Sequence, residues 1–301
     1  MNEDWHIYQN ISCTFSFPDK MNHMQWSEQS SAPHENGGAG APTIKNHSVT
    51  HFAGNLYCFG GYDGRRNHNS LLLYSIRDQR WFRPHHVGNG GQEQAAFLGD
   101  SSVIVSGQPP PGRNGHSATL AAAPDDDENG RIIIIGGWLG TGPLAASDMH
   151  VLDVSEGGRR LRWYQPAVKG TPPGPCNMHS ADYVSARKEV FVFRGGNGRE
   201  YLNDLHALHT ETLTWRRVET SGEVPQQRAN HSSAILEETG ELFIFGGWNG
   251  TERLNDIHIL DTETSTWTCP RIGGVLPHPR AGMTLTALRG RLYLFGGSGT
   301  R

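Results

Sequence analysis

The sequence predicts an all-β fold built from one structural unit that is repeated along the chain. Short apolar segments ending in Gly-Gly occur five times, and a His-Ser pair or its Met-Thr equivalent precedes each of them. Glycine accounts for 38 of the 301 residues, well above an average usage of ~7%. Because these glycines follow no triplet period, they indicate many tight turns and exclude collagen. A repeat of this kind determines the whole fold, so it is established first.

The linkers between the repeated units align without gaps. They read GGAGAPTIKNHS from Gly37, SGQPPPGRNGHS from Ser106, KGTPPGPCNMHS from Lys169, SGEVPQQRANHS from Ser221 and GGVLPHPRAGMT from Gly273. The steps from 170 to 222 and from 222 to 274 are both 52 residues long. A tryptophan stands seven residues before the linker position 88, 170, 222 or 274, at Trp81, Trp163, Trp215 and Trp267.

Each unit is predicted to contain four short strands. The apolar runs are LYCFGG (56–61), IIIIGG (132–137), VFVFRGG (190–196), LFIFGG (242–247) and LYLFGG (292–297). After each diglycine comes a polar loop, and in three units a strand-like segment follows: SDMHVLDV, NDLHALHT and NDIHILDT. Gly, Asn and Asp between the apolar segments are typical turn residues.

This combination resembles the kelch repeat, in which paired glycines end the second strand and Arg-x-x-His-Ser leads into the first. The resemblance extends over nearly the whole chain and implies an all-β kelch propeller of four-stranded blades around a central channel. Each blade would cover its apolar faces with its neighbours. The repeated tryptophan would fill the space between blades, and the second strands, covered on both faces, would be continuously apolar.

We therefore expect one propeller domain over residues 1–301. Its well-formed repeats span about 38–88, 107–170, 170–222, 222–274 and 274–301. Only 19 residues separate the linker positions 88 and 107, and this segment could hold two short strands, Gln94 to Leu98 and Ser102 to Ser106. Interpreting 88–107 as a degenerate blade gives six blades, the preferred count because it is common in the family; leaving it out gives five.

The last repeat holds only its first two strands, and the N-terminus could supply the other two. Asp4-Trp5-His6 matches Asp256-Ile257-His258, and Phe15 follows His6 at the spacing at which Trp267 follows His258. We expect residues 2–17 to complete the last blade, which would remove free sheet edges. The alternative is a chain cut within a repeat. Residues 18–37 are expected to form a loop between blades.

Composition argues against several classes of partner. The net charge is −4, and no run of Lys or Arg exceeds a pair, so no nucleic-acid partner is expected. The longest purely apolar stretch, Ile132 to Ile135, is too short for a membrane span, and the polar N-terminus is not a signal peptide. The cysteines (Cys13, Cys58, Cys176, Cys269) lack metal-site spacing; reduced thiols in a cytoplasmic or nuclear protein are the favoured interpretation, although disulfides stay possible.

A catalytic role finds little support in the sequence. The histidines at two repeat positions (His47, His116, His179, His231 and His150, His206, His258) lie on different blades, so packing and hydrogen bonding explain them better than zinc binding. Nitrile-specifier-like kelch lyases carry iron on Glu-x-x-x-Asp-x-x-x-His; here Glu200 and Asp204 are followed by Leu208, and Glu252 and Asp256 by Leu260. A galactose-oxidase-like copper site has no recognisable pattern. No cofactor and no enzymatic activity are expected, with a metal-dependent kelch-class enzyme as the alternative.

The favoured function is a protein-interaction adaptor or scaffold that binds a partner protein or peptide through the loop face. In this fold the loops after the diglycines and the linkers emerge on one face, and Trp, Tyr and Arg dominate binding hot spots. An Arg-rich mouth would suit a carboxylate-bearing peptide, and the resemblance suggests a substrate receptor of a ubiquitin ligase as one form of this function.

For the linker residues Arg113, Arg228 and Arg280, salt bridges between blades are the favoured interpretation. The candidate partner-binding residues are Tyr62, Arg65, Arg66, Trp138, Asn197, Arg199, Trp248, Asn249 and Arg253.

Overall fold

The described part of the chain is almost entirely β-structure. A computed structural model describes residues 43–87, 103–123, 126–140 and 148–299. Within these ranges the chain forms 22 strands and one short 3-10 helix, Ser185–Arg187. The strands make five sheets, one for each well-formed repeat, and these sheets are blades of a kelch-type propeller. None of the described residues belongs to a helix long and apolar enough to cross a membrane.

Each blade is named here by its place along the chain. Blade 1 contains β1 (Ser48–Phe52), β2 (Asn55–Phe59), β3 (Leu71–Ser75) and β4 (Arg80–Phe82). Blade 2 contains β5 (His85–His86), β6 (Ile104–Ser106), β7 (Ser117–Ala121), β8 (Gly130–Ile135), β9 (His150–Ser155) and β10 (Arg160–Tyr164). Blade 3 contains β11 (Lys169–Gly170), β12 (Ser180–Val184), β13 (Glu189–Phe193), β14 (Leu205–His209) and β15 (Thr214–Val218). Blade 4 contains β16 (Ser221–Gly222), β17 (Ser232–Leu236), β18 (Glu241–Trp248), β19 (Arg253–Asp261) and β20 (Thr266–Thr268), and blade 5 contains β21 (Arg280–Leu288) and β22 (Arg291–Gly299).

The four-stranded meander predicted for each unit is present in blades 1 to 4. Successive strands pair antiparallel from the innermost strand outward, as in the order β12, β13, β14 and β15. In blades 1 to 4 the second strand is mostly buried, and every residue of β13 is buried, whereas β22 of blade 5 contains no buried residue in the described structure. This burial explains why the second strands are apolar at successive positions instead of alternating.

A short linker strand closes the outer edge of blades 2, 3 and 4. The strands β6, β11 and β16 each pair parallel with the outermost strand of the blade that they lead into. The segment 88–107 is predicted to form a degenerate blade or an insertion. In its described part, β6 is an edge strand of blade 2, with β5 added outside it. Residues 88–102 lie outside the described ranges, and the blade count stays a prediction.

Blades 1 and 2 are in direct contact, so no blade lies between them. The Thr50 hydroxyl of blade 1 donates to the Ala118 carbonyl of blade 2 at 3.0 Å. The Thr119 hydroxyl of blade 2 makes the equivalent 2.8 Å bond to the Ala181 carbonyl of blade 3. A further blade would therefore have to lie between blades 5 and 1. The predicted completion of blade 5 by residues 2–17, and the predicted loop 18–37, fall outside the described residues.

The repeated tryptophans fill the space between neighbouring blades, as predicted. The ring centroid of Trp163 in blade 2 lies 5.1 Å from that of Phe59 in blade 1. Trp215 of blade 3 joins a buried cluster with Ile133 and Ile135 of blade 2, and Trp267 of blade 4 packs on blade 3 in the same way. Each of these three tryptophans is at most 3% exposed. Large aromatic areas buried in this way are a main source of cohesion between blades.

The diglycine has two separate packing functions, shown by Gly136 and Gly137 of blade 2. A Cβ on Gly136 would lie 2.5 Å from the Cys176 carbonyl oxygen of blade 3, and a Cβ on Gly137 would lie 2.9 Å from the Cβ of His116 in its own blade. Both glycines also have positive φ, at 64° and 98°. The first glycine thus admits the next blade, and the second admits the histidine of its own blade.

A chain of backbone hydrogen bonds joins the linkers of all five blades. In blades 2 to 5 the residue before the His-Ser position donates its N–H to the backbone carbonyl of the equivalent residue in the preceding blade. These bonds run from Gly115 to Asn46, Met178 to Gly115, Asn230 to Met178 and Gly282 to Asn230, each at 2.8 or 2.9 Å. All five residues are left-handed, with φ between 53° and 71°. The shared conformation directs each N–H toward the neighbouring blade and keeps the blades in register.

Candidate interaction surface

The linkers and the loops after the diglycines lie together at one end of the strands. Backbone bridges join the linker residue after the Arg position to the residue after the diglycine in three blades: Lys45 to Tyr62, Asn114 to Trp138 and Ala229 to Trp248. In blade 3 the equivalent bridge joins Asn177 to Gly196. This end of the blades, called the loop face below, carries all the candidate partner-binding residues. The predicted clustering of the linkers and these loops is confirmed; a binding role for the individual side chains stays a prediction.

Two of the candidate residues, Asn197 and Asn249, shape their own loops. The Asn197 side-chain oxygen accepts the N–H groups of the residues two and three positions later, both at 2.9 Å. Asn249 and Asp63 do the same in blades 4 and 1. These turns, in which a short polar side chain replaces a backbone acceptor, fix the loop shape and so position the aromatic and basic neighbours.

The aromatic candidates sit at matching positions but differ in exposure. Trp138 is 37% exposed, and its indole N–H donates to the Gly140 carbonyl at 3.1 Å. Trp248 is half-buried and lies beside Arg253, whose guanidinium carbon is 5.9 Å from the ring centroid. The Tyr62 hydroxyl donates to the Gly64 carbonyl at 2.8 Å. Trp138 is therefore the most accessible aromatic side chain of the set.

The free basic side chains of the loop face concentrate in blade 1. Arg65 and Arg66 are exposed, and only their backbone N–H groups are used by the Asp63 turn. Lys45, which the sequence interpretation did not single out, lies with its Nζ 5.8 Å from the Tyr62 ring centroid. Arg199 in blade 3 is exposed too, whereas the Arg253 guanidinium donates to the Ser298 hydroxyl at 3.2 Å. Blade 1 therefore carries three exposed basic residues, Lys45, Arg65 and Arg66, in the linker and loop that hold Tyr62.

The linker residues Arg113 and Arg228 are structural, but their salt bridges lie within blades and not between them as predicted. Arg228 is fully buried, and it donates to both Asp256 oxygens at 2.7 Å and to the Gly246 carbonyl at 3.0 Å, all in blade 4. Arg113 contacts Asp148 and the Gly136 carbonyl in the same way. The third-strand histidine, His258, reaches the same carboxylate with a 3.0 Å contact. The pairing within the blade follows because the linker and the third strand converge on the diglycine.

These contacts keep the third-strand carboxylates ionised. Partial burial alone would raise the pKa of Asp148, but the hydrogen bonds from His150 and Arg113 outweigh it and lower the pKa to about 2. The same balance, with His206 and Arg194 as donors, lowers the pKa of Asp204 to about 2. Each carboxylate therefore remains charged through the physiological range and holds its buried arginine in place.

Blade 3 reaches the same arrangement with the arginine in a different position of the sequence. Cys176 replaces the linker arginine, and Arg194 replaces the first glycine of the diglycine. The Arg194 guanidinium donates to Asp204 at 3.0 Å and to the Pro175 carbonyl at 3.3 Å. The two substitutions compensate for each other, which explains the sequence VFRGG where the other blades have an apolar residue followed directly by Gly-Gly.

The His-Ser motif links each blade to the one before it. The imidazole Nε2 atoms of His116, His179 and His231 lie 2.9 to 3.0 Å from the hydroxyls of Ser48, Ser117 and Ser180, respectively. Burial lowers the pKa of His179 to about 4, and burial together with the nearby Arg113 lowers that of His116 to about 3. These histidines are neutral hydrogen-bonding groups of the blade interfaces, which confirms the predicted packing role.

The two segments that nearly match the iron-binding pattern contribute their aspartates to these ion pairs. Asp204 and Asp256, which end the two Glu-x-x-x-Asp segments, are ion-paired with Arg194 and with the buried Arg228, respectively. Across the described ranges, no group of three or more His, Cys, Asp or Glu side chains is placed to hold a metal ion.

The chain belongs to the kelch-repeat proteins, as its blades and their repeated contacts indicate. A family model described as the KLHDC2/KLHL20/DRC7 Kelch-repeats domain matches residues 100–297, and a Kelch motif model matches residues 44–83. The second match coincides with blade 1 and the first extends from the linker strand β6 into blade 5. The resemblance inferred from the linkers and diglycines is thereby confirmed, and with it a protein-interaction propeller.

Several curated proteins are similar to the chain. Kelch domain-containing protein 3 from Homo sapiens is 29% identical over 284 residues, which cover 87% of this chain and 66% of that protein. The Rho GTPase-activating protein gacHH from Dictyostelium discoideum is 31% identical over 46% of this chain and 9% of its own length. The dynein alpha chain of the flagellar outer arm from Chlamydomonas reinhardtii is 33% identical over 46% of this chain and 3% of its own length. The chain thus spans less than two thirds of each relative.

Proposed function

We propose that the chain binds a carboxylate-bearing peptide segment of a partner protein through the loop face. The observation that carries this proposal is the set of exposed basic residues Lys45, Arg65 and Arg66 in the linker and loop that hold Tyr62, since this loop is bonded to that of the exposed Trp138. Guanidinium groups pair bidentately with carboxylates, and neighbouring aromatic rings supply buried contact area.

The two loops are coupled across the boundary between blades 1 and 2. The Asn67 side-chain amide donates to the Trp138 carbonyl at 2.9 Å, and the Asn114 amide donates to the Asn67 side-chain oxygen at 2.8 Å. A ligand that contacts both Arg66 and Trp138 would therefore meet loops already held together, which reduces the entropy cost of binding. Asn67 is a positioning residue that sequence reasoning missed, since its partners lie in another repeat.

A peptide array tests this proposal. Peptides with Asp, Glu or a free C-terminal carboxylate would be compared with their Asn, Gln and amidated counterparts, at low and high salt. We expect the purified chain to prefer the carboxylate peptides and to lose affinity with salt. The Arg65→Glu/Arg66→Glu variant should lose this preference. Arg77→Glu, in the exposed turn between β3 and β4 at the opposite end of blade 1, is the matched control. If both variants keep the preference for carboxylate peptides, the site does not lie on the loop face.

A role as the substrate receptor of a ubiquitin ligase is a further step of the same proposal. It needs a second surface that contacts the ligase, and its support is the resemblance to the family alone. A reporter protein fused to the best peptide of the array should be degraded in cells that express the chain and be spared in cells with the Arg65→Glu/Arg66→Glu variant. Equal reporter lifetimes would leave a binding module without a degradative role.

We further propose a cytoplasmic or nuclear location and a binding function in place of a catalytic one. The thiols of Cys58, Cys176 and Cys269 are unpaired, and burial raises the pKa values of Cys58 and Cys176 to about 12, so these two would stay protonated and unreactive. Imaging of a tagged chain tests the location. Stoichiometric iron or copper in the purified protein would contradict the non-catalytic assignment.

A further inference from the structure

Blade 1 differs from the other blades at the position of the buried arginine. The linker position that holds Arg113, Arg228 or Arg280 in blades 2, 4 and 5 holds Ile44 in blade 1. Register with the second strand places Ser70 where the other blades have the third-strand aspartate, and Leu72 where they have the histidine. The entire ion-paired group is therefore replaced at once, while the glycine that lies beside it is kept as Gly60.

A cavity takes the place of the guanidinium in blade 1. Its volume is about 240 Å³, and it is lined by Ile44, Leu72, Gly60, Ser70 and, at its polar end, Asp63 and His68. This is smaller than the ~300–1,000 Å³ of pockets for drug-sized ligands, so the cavity suits the head group of one side chain.

The other blades show which chemistry this position receives. The glycine carbonyl equivalent to that of Gly60 accepts a guanidinium N–H at 3.0 Å from Arg113, 3.0 Å from Arg228 and 2.9 Å from Arg280. Blade 1 keeps the acceptor position, and among its described residues no arginine occupies the donor position. Ile44 and Leu72 give the cavity apolar walls, against which a weakly hydrated planar cation packs better than an ammonium does.

Blade 1 also supplies a carboxylate from a different element. Asp63 accepts the backbone N–H groups of Arg65 and Arg66 at 2.8 Å and contacts His68 Nε2 at 2.7 Å. These bonds hold the pKa of Asp63 well below its usual range, so the group is anionic at neutral pH. Its position in the first turn after the diglycine opens the site to the loop face instead of to the blade interior.

We propose that this cavity is a guanidinium site that receives an arginine side chain of a partner molecule. Gly60 and Ser70 would accept hydrogen bonds from the guanidinium, and Asp63 would pair with its charge. Arg83, whose side chain lines the cavity from the exposed outer edge, opposes the cation; the equivalent position in blade 2 is the neutral Gln165, which donates to Asp148 at 3.1 Å. The inference does not depend on the proposed carboxylate-binding role, because a free arginine derivative tests it directly.

The experiment is a titration of the whole chain with N-acetyl-arginine amide, with the citrulline and lysine analogues as controls. We expect the arginine compound to bind about tenfold more tightly than citrulline, which has the same shape without the charge. It should also bind more tightly than the lysine analogue. Arg83→Gln should strengthen arginine binding, because it removes the like charge.

Two variants of the cavity make the test decisive. Ile44→Arg/Ser70→Asp restores the Arg–Asp pair of blade 4 without its histidine and would fill the cavity with the chain's own guanidinium, so arginine binding should disappear while the thermal unfolding midpoint is maintained or rises. Asp63→Asn keeps the turn, since Asn occupies this position in blades 3 and 4, and should weaken binding about tenfold. Binding that is equal for arginine and citrulline, or retained binding in the folded double variant, would overturn the proposal.

Discussion

At the scale of single residues, equivalent positions of the repeated blades can be compared directly with one another. The position filled by a buried arginine, a carboxylate and a histidine in blade 4 is filled by Ile44, Ser70 and Leu72 in blade 1. A buried ion pair contributes little over a well-packed apolar replacement, but loss of one partner leaves an uncompensated charge. The penalty for an unpaired buried charge explains why blade 1 replaces the arginine, the carboxylate and the histidine together.

The first residue-scale prediction concerns Arg228, whose partner Asp256 is partly exposed. Arg228→Ile alone should lower the free energy of unfolding by about 3 kcal/mol, because Asp256 loses its buried counter-charge. The triple variant Arg228→Ile/Asp256→Ser/His258→Leu, which copies blade 1, should recover most of this loss. Urea unfolding followed by tryptophan fluorescence measures both; a triple variant as unstable as the single one would show that the group is not an independent unit.

The second residue-scale prediction concerns Asp182 on the innermost strand of blade 3. Burial raises its pKa to about 6, against the opposing hydrogen bond from Ser233. Because the folded chain holds this proton more tightly than the unfolded chain, its contribution to stability is present at low pH and is lost as the pH rises through about 6. Asp182→Asn should therefore gain stability relative to wild type by about 1 to 3 kcal/mol between pH 4 and pH 7. A difference that does not change with pH would contradict the raised pKa.

At the scale of elements, most strands could be predicted because each repeat carries the same local signals. The diglycine, the tryptophan and the His-Ser pair have packing roles that recur from blade to blade, so the pattern predicted those contacts. The strand β6 could not be placed in the same way, because its residues resemble any short apolar run. Its membership of blade 2 depends on a parallel pairing with β10, more than fifty residues away.

The element-scale prediction concerns the left-handed linker residue of blade 3. Met178 has φ of 53°, whereas Asn or Gly occupies this position in the other blades. A left-handed conformation costs about 1–2 kcal/mol for an ordinary L-residue and less for Asn. Met178→Asn should therefore raise the free energy of unfolding by about 1 kcal/mol, and Met178→Val should lower it. Thermal and urea unfolding would decide; a destabilised Asn variant would mean that side-chain packing of Met178 outweighs the backbone strain.

At the scale of the whole molecule, the linker glycine offers a test of closure. Gly222 has φ of 81°, and an added Cβ would lie 2.2 Å from the Trp267 carbonyl oxygen of the same blade. Gly274, its equivalent in blade 5, has the same φ with nothing within 4 Å among the described residues. If residues 2–17 complete blade 5, their strand would place Phe15, the counterpart of Trp267, near Gly274.

The closure prediction compares alanine substitutions at these two glycines. Gly222→Ala should lower the free energy of unfolding by about 3 kcal/mol, from backbone strain and the clash together. In the full chain Gly274→Ala should cost as much, whereas in a chain without residues 1–17 it should cost only the strain, about 1–2 kcal/mol. An equally small effect of Gly274→Ala in both chains would mean that residues 2–17 do not complete blade 5.

The candidate site was less predictable from sequence than the fold, for a physical reason. The exposed loops carry no repeated packing signal, so residue type alone selected Arg65, Arg66 and Trp138 together with Asn197 and Asn249, which shape their loops. Contacts between repeats, such as Asn67 with Trp138, and the compensating positions of Arg194 and Cys176 become visible only when the blades are aligned in space. The cavity of blade 1 is the clearest case, since it arises from three separate substitutions.

Hydrogen–deuterium exchange of the chain with and without its best carboxylate peptide tests the central claim of loop-face recognition most directly. The account predicts slowed exchange at 62–67 and 138–140, in the loops of blades 1 and 2, and unchanged exchange in the opposite turns at 76–79 and 156–159. Protection confined to the opposite turns, or to the outer edges of the blades, would contradict it.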